Sequence, residues 1–174
     1  MSPRVKYDPN QPRDDQGQWT SGWSATMPEA DARAFVAGTA FEGSTMHHFT
    51  SERGAAGIRS EGARMNEGIF GVGFYTYKDA LPSDSMIGRT HKLDVVIRSE
   101  KPFAVRSIPD MERKLQAAGV DTNPRGRRLD VTAELTKLGY DSVLVENRLG
   151  PHYVMAFRRE QIVVRPGGPR MQTA

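Results

Sequence analysis

Two short stretches hold the residue types of this chain that are best suited to bind a ligand. The first is His48-Phe49-Thr50-Ser51, which precedes Gly57-Ile58-Arg59-Ser60-Glu61-Gly62, and the second is Phe70-Gly71-Val72-Gly73-Phe74-Tyr75. Imidazole, hydroxyl and phenol groups form hydrogen bonds, and glycine lets a backbone approach its neighbours closely. We therefore expect these two stretches to carry the chemistry of the protein.

Other chemistries have less support in the residue pattern. The four histidines, His47, His48, His91 and His152, lack the spacing of a metal site. Neighbouring residues of a strand point to opposite faces, so His47 and His48 do not form a pair of ligands. The G-x-S-x-G motif of a serine nucleophile is absent, and Gly71-x-Gly73 lacks the lysine and the helix of a phosphate loop. The sequence predicts no metal.

The two stretches together resemble the ADP-ribosyltransferases of the poly(ADP-ribose) polymerase and diphtheria-toxin branch. In that family a His-x-Ser/Thr at a strand end precedes a helix that closes with a Gly-Ile-Leu-x-x-Gly-like step, and a Gly-x-Gly-x-Tyr strand follows. The C-terminal part is similar to the closing hairpin of the family. It comprises Asp141-Ser142-Val143-Leu144-Val145, Tyr153-Val154-Met155-Ala156-Phe157 and Gln161-Ile162. The resemblance runs from residue 44 to residue 164, and the middle section matches no motif.

The resemblance implies an NAD site and gives each of its residues a role. The backbone of Phe49 pairs with the carboxamide of nicotinamide, and the Thr50 hydroxyl adds a hydrogen bond. His48 bonds a hydroxyl of the adenosine ribose, Tyr75 lies against the nicotinamide ring, and the two strand glycines let the backbone run close to the ligand. The predicted cofactor-binding residues are His48, Phe49, Thr50, Gly71, Gly73 and Tyr75.

The third site residue of the family, a glutamate at the start of the closing strand, is absent. The equivalent stretch is Gly150-Pro151-His152-Tyr153-Val154. Three alternatives remain: Glu146 reaches the ribose from the preceding strand, His152 takes the position, or the protein binds NAD without transferring anything. A carboxylate stabilises positive charge on the ribose better than a neutral imidazole does. The candidate catalytic residues are His48, Tyr75, Glu146 and His152.

The function implied by the resemblance is transfer of ADP-ribose from NAD to a protein or nucleic-acid acceptor, with release of nicotinamide and without a metal. The alternative is an inactive module that binds NAD, ADP-ribose, or a phage or host partner. Arginine is not expected as the acceptor, because the Glu-x-Glu or Gln-x-Glu pair of arginine-modifying relatives is missing. Transfer of an RNA 2′-phosphate on the same fold would require basic residues around the pocket. The stretch Pro12-Arg13-Asp14-Asp15-Gln16-Gly17-Gln18-Trp19 resembles a segment of phage head-morphogenesis proteins, which suggests a toxin or phage effector.

Hydrophobic periodicity and turn residues predict the elements that position this site. Helices are predicted over residues 28–36, 51–60, 109–118 and 129–138, and strands over residues 44–49, 69–77, 91–97, 103–105, 141–146, 153–157 and 161–164. The elements do not follow a strict strand–helix alternation, which favours an α+β fold. The resemblance refines this to the split β-sheet of the ADP-ribosyltransferases, two packed antiparallel sheets with short flanking helices.

The composition fits a single soluble domain. Hydrophobic residues make up 37% and charged residues 26% of the 174-residue chain, no apolar run approaches the roughly 20 residues of a membrane span, and no secretory signal is seen. A net charge of +3 without cysteine excludes disulfides and does not indicate a dedicated nucleic-acid binder. We expect a flexible tail over residues 1–24, a domain over 25–166, a disordered tail over 167–174, and a location in the bacterial cytoplasm without a membrane partner.

Overall fold

The computed structural model describes residues 26–78, 89, 91–123, 129–147 and 152–166. Its helices are α1 (Glu29–Val36), α2 (Glu52–Glu61), α3 (Ile108–Ala117) and α4 (Val131–Lys137). Its strands are β1 (Met46–Thr50), β2 (Asn66–Gly68), β3 (Gly71–Tyr77), β4 (His91–Ile97), β5 (Pro102–Val105), β6 (Ser142–Val145), β7 (Tyr153–Ala156) and β8 (Ile162–Val164). The two predicted tails lie outside the described residues.

Side-chain caps mark the start of three helices, of which the cap at Ser51 was predicted. The Ser51 hydroxyl accepts a hydrogen bond from the Gly54 N–H at the start of α2, and the Ser107 hydroxyl does the same for Asp110 in α3. The Asp130 carboxylate accepts from the Ala133 N–H in α4. Such caps satisfy N–H groups that lack a partner in the first turn. The four predicted helices are therefore confirmed, with shifted ends.

The eight strands form one mixed sheet in the order β5-β6-β7-β3-β1-β4-β8, with β2 paired to β3. The predicted α+β class is confirmed, whereas β2 was not predicted as a separate strand. The chain enters the described part next to β8, through a parallel bridge between Thr26 and Val164. The central strands β3 and β1 carry the two stretches that the sequence analysis selected.

The sheet differs from the predicted pair of antiparallel sheets, because β5 and β6 are parallel and the strands are connected in a single path. The chain between these two strands contains α3 and α4. A crossover that includes helices returns the chain to the same end of the sheet, and the next strand therefore runs parallel to the first.

Helices cover both faces of the sheet. On one face, here called the α2 face, Ala55 and Ile58 pack in a buried cluster with strand residues that include Met46, Phe74 and Val154. On the other, the α3/α4 face, Met111, Leu115 and Leu135 pack on Val143, Val145 and Met155. Alternate residues of each strand point to opposite faces. Within the described part of the chain, no helix is both long and apolar enough to cross a bilayer.

Candidate functional site

The strands β1 and β3 touch at one end and then separate. They share a single register pair, His47 with Tyr77. In a continued ladder Phe49 would oppose Tyr75, but in the described structure Phe49 pairs only with Lys92 of β4. A gap therefore opens between Phe49 on one side and Tyr75 on the other, in the middle of the sheet.

The His48 side chain bridges this gap. Its Nδ1 lies 2.8 Å from the carbonyl oxygen of Tyr75, and its ring stacks on Phe74 with the ring centres 4.3 Å apart. Burial lowers the pKa of His48, the Tyr75 carbonyl opposes this shift, and the Arg89 charge lowers the pKa further. The imidazole is therefore neutral near pH 7. Because a carbonyl only accepts hydrogen bonds, the proton is on Nδ1 and Nε2 is left as an acceptor.

Tyr75 is held by the hairpin that joins β2 to β3. Its hydroxyl donates to the Gly71 carbonyl at 2.7 Å and accepts from the Phe70 N–H at 3.0 Å. Burial raises the pKa of the Tyr75 phenol, and the charges of Tyr77 and Glu67 raise it further against the opposing Phe70 hydrogen bond. The phenol is therefore a neutral group that closes the hairpin.

The rings of His48 and Tyr75 lie on opposite faces of the sheet. His48 stacks on Phe74, which belongs to the cluster on the α2 face, whereas Tyr75 packs against the cluster on the α3/α4 face. The family resemblance implies that both rings border one NAD site. The structure brings them together only through the backbone of Tyr75, at the gap.

The predicted carboxamide-binding residues lie at the edge of the same gap. Phe49 is buried, and its ring packs edge-on against Tyr77 at 5.9 Å. The Thr50 side chain lies over the first turn of α2, where a Cβ on Gly54 would collide with the Thr50 hydroxyl. Helix α2 and β1 thus pack closely at this point because residue 54 has no side chain.

Close packing within the protein explains why Gly71 and Gly73 of β3 lack side chains. A Cβ on Gly71 would lie 2.8 Å from the Thr132 hydroxyl oxygen of α4, and its φ of +120° is itself unfavourable for other residues. A Cβ on Gly73 would lie 2.7 Å from the carbonyl oxygen of Ala156. The close approach that explains both glycines is therefore to α4 and β7, and their contact with NAD stays a prediction.

The two candidates for the missing glutamate lie on neighbouring strands. Val145 pairs with Tyr153, so the next residues outward are Glu146 and His152. Tyr153 also pairs with Tyr77 of β3, which puts His152 one strand closer to β1 than Glu146. With strands about 4.8 Å apart and about 3.4 Å per residue, the Cα of His48 lies roughly 12 Å from His152 and roughly 16 Å from Glu146.

The surroundings of these two residues also differ. Glu146 is exposed, and its N–H donates to the Val105 carbonyl. His152 is half-buried, its carbonyl accepts from the Lys78 N–H at 3.0 Å, and it lines a cavity of about 380 Å³ with Ser44, Thr45 and Lys78. His152 therefore lies next to Lys78 in a partly enclosed position, whereas Glu146 faces solvent.

No protein-family model matches this chain, and no curated protein matches it.

Sequence reasoning missed an aromatic row beside Tyr75 on the α3/α4 face. The ring centres of Tyr77 and Tyr153 are 4.9 Å apart, and both rings are half-buried. Burial raises the pKa of Tyr153, and the neighbouring Tyr77 adds to the shift. Strand alternation alone predicts that Tyr75 and Tyr77 share a face. Phe49 and Tyr153 join them only through strand pairing between distant parts of the chain, which the sequence does not reveal.

The same face also holds an ion pair that the sequence did not reveal. His47 Nδ1 lies 2.9 Å from an Asp94 oxygen, and Lys92 approaches the same carboxylate at 3.6 Å. His47 and His48 thus point to opposite faces, as expected for consecutive strand residues. Within the described ranges, no cluster of three or more potential ligands for a metal ion is found.

Proposed function

We propose that this protein is an NAD-dependent ADP-ribosyltransferase that transfers a single ADP-ribose to a macromolecular acceptor and releases nicotinamide. The observation that carries the proposal is the gap between β1 and β3. The two central strands separate after one pair, and His48 holds the carbonyl of Tyr75 across the opening. This break in the pairing of the two central strands supports a ligand site between them, within a sheet that is a single mixed one.

The edges of the gap suit a carboxamide. Phe49 has no strand partner on the β3 side in the described structure, so an amide can donate to its carbonyl and accept from its N–H. The phenol rings of Tyr75 and Tyr77 lie on the face beside it. Flat aromatic rings pack well against a pyridine ring. These groups together favour nicotinamide as the part of NAD held in the gap.

The tautomer of His48 supports the role that the family resemblance gives this residue. With its proton on Nδ1, the ring presents Nε2 as an acceptor, and a ribose hydroxyl is a donor of matching chemistry. The low pKa keeps Nε2 unprotonated near pH 7. A protonated ring would be unable to accept this hydrogen bond.

The residue that replaces the missing glutamate should determine the rate of ADP-ribose transfer. NAD supplies a leaving group that is already activated by its positive pyridinium charge. The protein contributes by holding the ribose while positive charge grows on it, and a carboxylate would stabilise that charge best. His152 in that place accepts a ribose hydrogen bond but brings no negative charge to offset the developing cation. We therefore expect slow, single transfer.

The lack of a carboxylate at the third site position also favours a second candidate function, NAD binding without transfer. A histidine in place of the carboxylate binds a ribose oxygen without stabilising positive charge. The gap and His48 would then serve recognition alone. Release of nicotinamide separates the two functions.

The test is to incubate the protein with NAD labelled in its nicotinamide and to measure the free base. We expect release by the unaltered protein and a loss of at least about tenfold, or about 1.4 kcal/mol of transition-state stabilisation, in His48→Asn. Asparagine keeps a donor for the Tyr75 carbonyl but has no Nε2 acceptor. His152→Ala should reduce release, whereas Glu146→Gln should not.

The control is Glu160→Gln, which alters an exposed carboxylate away from the gap. NAD binding measured by calorimetry without any release would favour the recognition function. Absence of binding would overturn both candidates.

A further inference from the structure

A second concave site lies on the far side of the β2–β3 hairpin, away from the gap. It is a groove of about 340 Å³, here called the hairpin groove, a size at the lower end for ligand pockets. Its walls are the hairpin, helix α3 and the start of α4. The lining residues are Glu67, Gly68, Ile69, Gly71, Val72, Ile108, Met111, Glu112, Leu115, Thr122, Leu129, Asp130 and Val131.

The hairpin groove contains the exposed apolar side chains of the described structure. Ile69 is 68% exposed and Val72 is 41% exposed, and no other large apolar residue in the described ranges is exposed. Both lie on the hairpin wall, and Met111 and Leu115 form the buried floor. Adjacent exposed apolar side chains in a concave site are typical of a surface that binds another molecule.

The charged residues among the described lining of the hairpin groove are all acidic. Glu112 and Asp130 line it together with Glu67, and none of its described lining residues is Lys or Arg. The chain as a whole carries a net charge of +3, so this acidic rim is a local feature. It repels nucleic acid and attracts cationic groups.

We propose that the hairpin groove binds a segment of a partner protein that presents one or two large apolar side chains flanked by lysine or arginine. The apolar side chains cover Ile69 and Val72, and the basic flanks lie against the carboxylates of the rim. Recognition of this type joins a buried apolar anchor to charge complementarity around it.

The hairpin connects this groove to the candidate NAD site. The Tyr75 hydroxyl bonds the Gly71 carbonyl and the Phe70 N–H, and Gly71 is itself part of the groove wall. The groove wall and the candidate NAD site are therefore joined through Tyr75, and the bound partner is the acceptor of ADP-ribose. This acceptor role rests on the proposed function, whereas the binding of the segment does not.

The test is an array of labelled nonapeptides with Leu, Ile, Phe or Met at the centre and Lys/Arg, Ser or Glu on both sides, probed with the full chain. We expect peptides with basic flanks to bind at least about tenfold more tightly than those with acidic flanks, and a central Ser to abolish binding. Ile69→Ser with Val72→Ser should weaken the best peptide about tenfold. These side chains are exposed, so the fold should be kept.

Glu112→Lys should weaken the same peptide severalfold at low salt and less at high salt, because exposed charges are screened. Glu160→Lys is the matched control, since it reverses an exposed charge outside the groove and should leave binding unchanged. Binding that ignores the flanking charges, or that survives both serine substitutions, would overturn the proposal. Tighter peptide binding after replacement of Arg125, Arg127 and Arg128 by Ser would also overturn it, by showing that this chain supplies the occupant.

Nicotinamide release is measured separately with the same preparations. Peptide binding without nicotinamide release would support the groove as a binding site and contradict the transferase function. Nicotinamide release without peptide binding would support the transferase function and contradict the proposed groove.

Discussion

At the residue scale, His48 shows how a strand gap fixes the state of a side chain. The ring stacks on Phe74, and its Nδ1 reaches the backbone carbonyl of Tyr75, a residue that pairs with β7 and not with β1. Burial makes the charged form unfavourable, and the carbonyl selects the tautomer. Nδ1 is therefore used within the fold, and Nε2 is available to accept a hydrogen bond from a ligand.

The lowered pKa of His48 predicts a pH dependence of stability. Below about pH 6.5, the ordinary value for histidine, the unfolded chain binds a proton that the folded chain does not. The stability that His48 contributes is therefore complete above this pH and is lost as the pH falls below it. His48→Asn, which does not titrate, should lose less stability between pH 7.5 and pH 5.5, measured by urea unfolding.

The matched control for this measurement is His91→Asn on the neighbouring strand. Equal losses in the unaltered protein and in His48→Asn would show that His48 takes up its proton equally in the folded and unfolded states.

The hydroxyl and the ring of Tyr75 have different roles: the hydroxyl stabilises the hairpin, and the ring is predicted to bind nicotinamide. Tyr75→Phe keeps the ring but removes two hydrogen bonds to the hairpin, which should lower the free energy of unfolding by about 1–3 kcal/mol. Nicotinamide release, if it depends on the ring, should change little. Denaturant unfolding and the release assay on the same variant check this, and a stability equal to that of the unaltered protein would contradict the assignment.

Tyr140→Phe offers the comparison for this variant. The Tyr140 ring packs on Phe103 at 4.8 Å, and its hydroxyl has no hydrogen-bond partner among the described residues. Its replacement should have a small effect on stability.

At the element scale, the glycines of β3 determine how closely the strands and α4 pack. Gly73→Ala would force a Cβ against the carbonyl oxygen of Ala156 at 2.7 Å, and a backbone atom has little freedom to move. Overpacking of this kind typically costs about 1–3 kcal/mol. Gly57→Ala in α2 is the matched control, because nothing lies within 4 Å of its Cβ and alanine favours a helix by about 1 kcal/mol.

Thermal unfolding of the two glycine variants gives a clear ordering. Gly73→Ala should unfold at a lower temperature than the unaltered protein, and Gly57→Ala at the same or a higher temperature. The reverse order would mean that β3 and β7 are not packed as the structure has them.

The elements themselves were largely predictable because their signals are local. A serine at position 51 caps α2 through an N–H three residues away, and Gly62, with φ of +88°, follows its end. The β2 strand was missed because Asn66-Glu67-Gly68 is short and polar and is stabilised only by its pairing with β3. Local patterns predict elements, whereas pairing depends on the rest of the chain.

At the scale of the whole molecule, the order and register of the strands could not be predicted from the sequence. Alternation in β1 and β3 predicts two strands, but nothing in it says that they share one pair and then separate. The row of Phe49, Tyr77 and Tyr153 arises from the same long-range register. The candidate site was therefore predicted as a set of residues, and its geometry, with His48 and Tyr75 on opposite faces, was not.

Ligand binding to the gap should be visible in the stability of the whole domain. A ligand that binds only the folded state at ten times its Kd adds about 1.4 kcal/mol, or roughly 3–6 °C in Tm for a domain of this size. Nicotinamide should give such a shift, because its amide both donates to and accepts from the Phe49 backbone. Nicotinic acid, ionised near pH 7, has no donor for the Phe49 carbonyl and brings a charge into a half-buried site. It should give a shift near zero, and a nicotinic acid shift as large as that of nicotinamide would mean that the gap does not recognise the carboxamide.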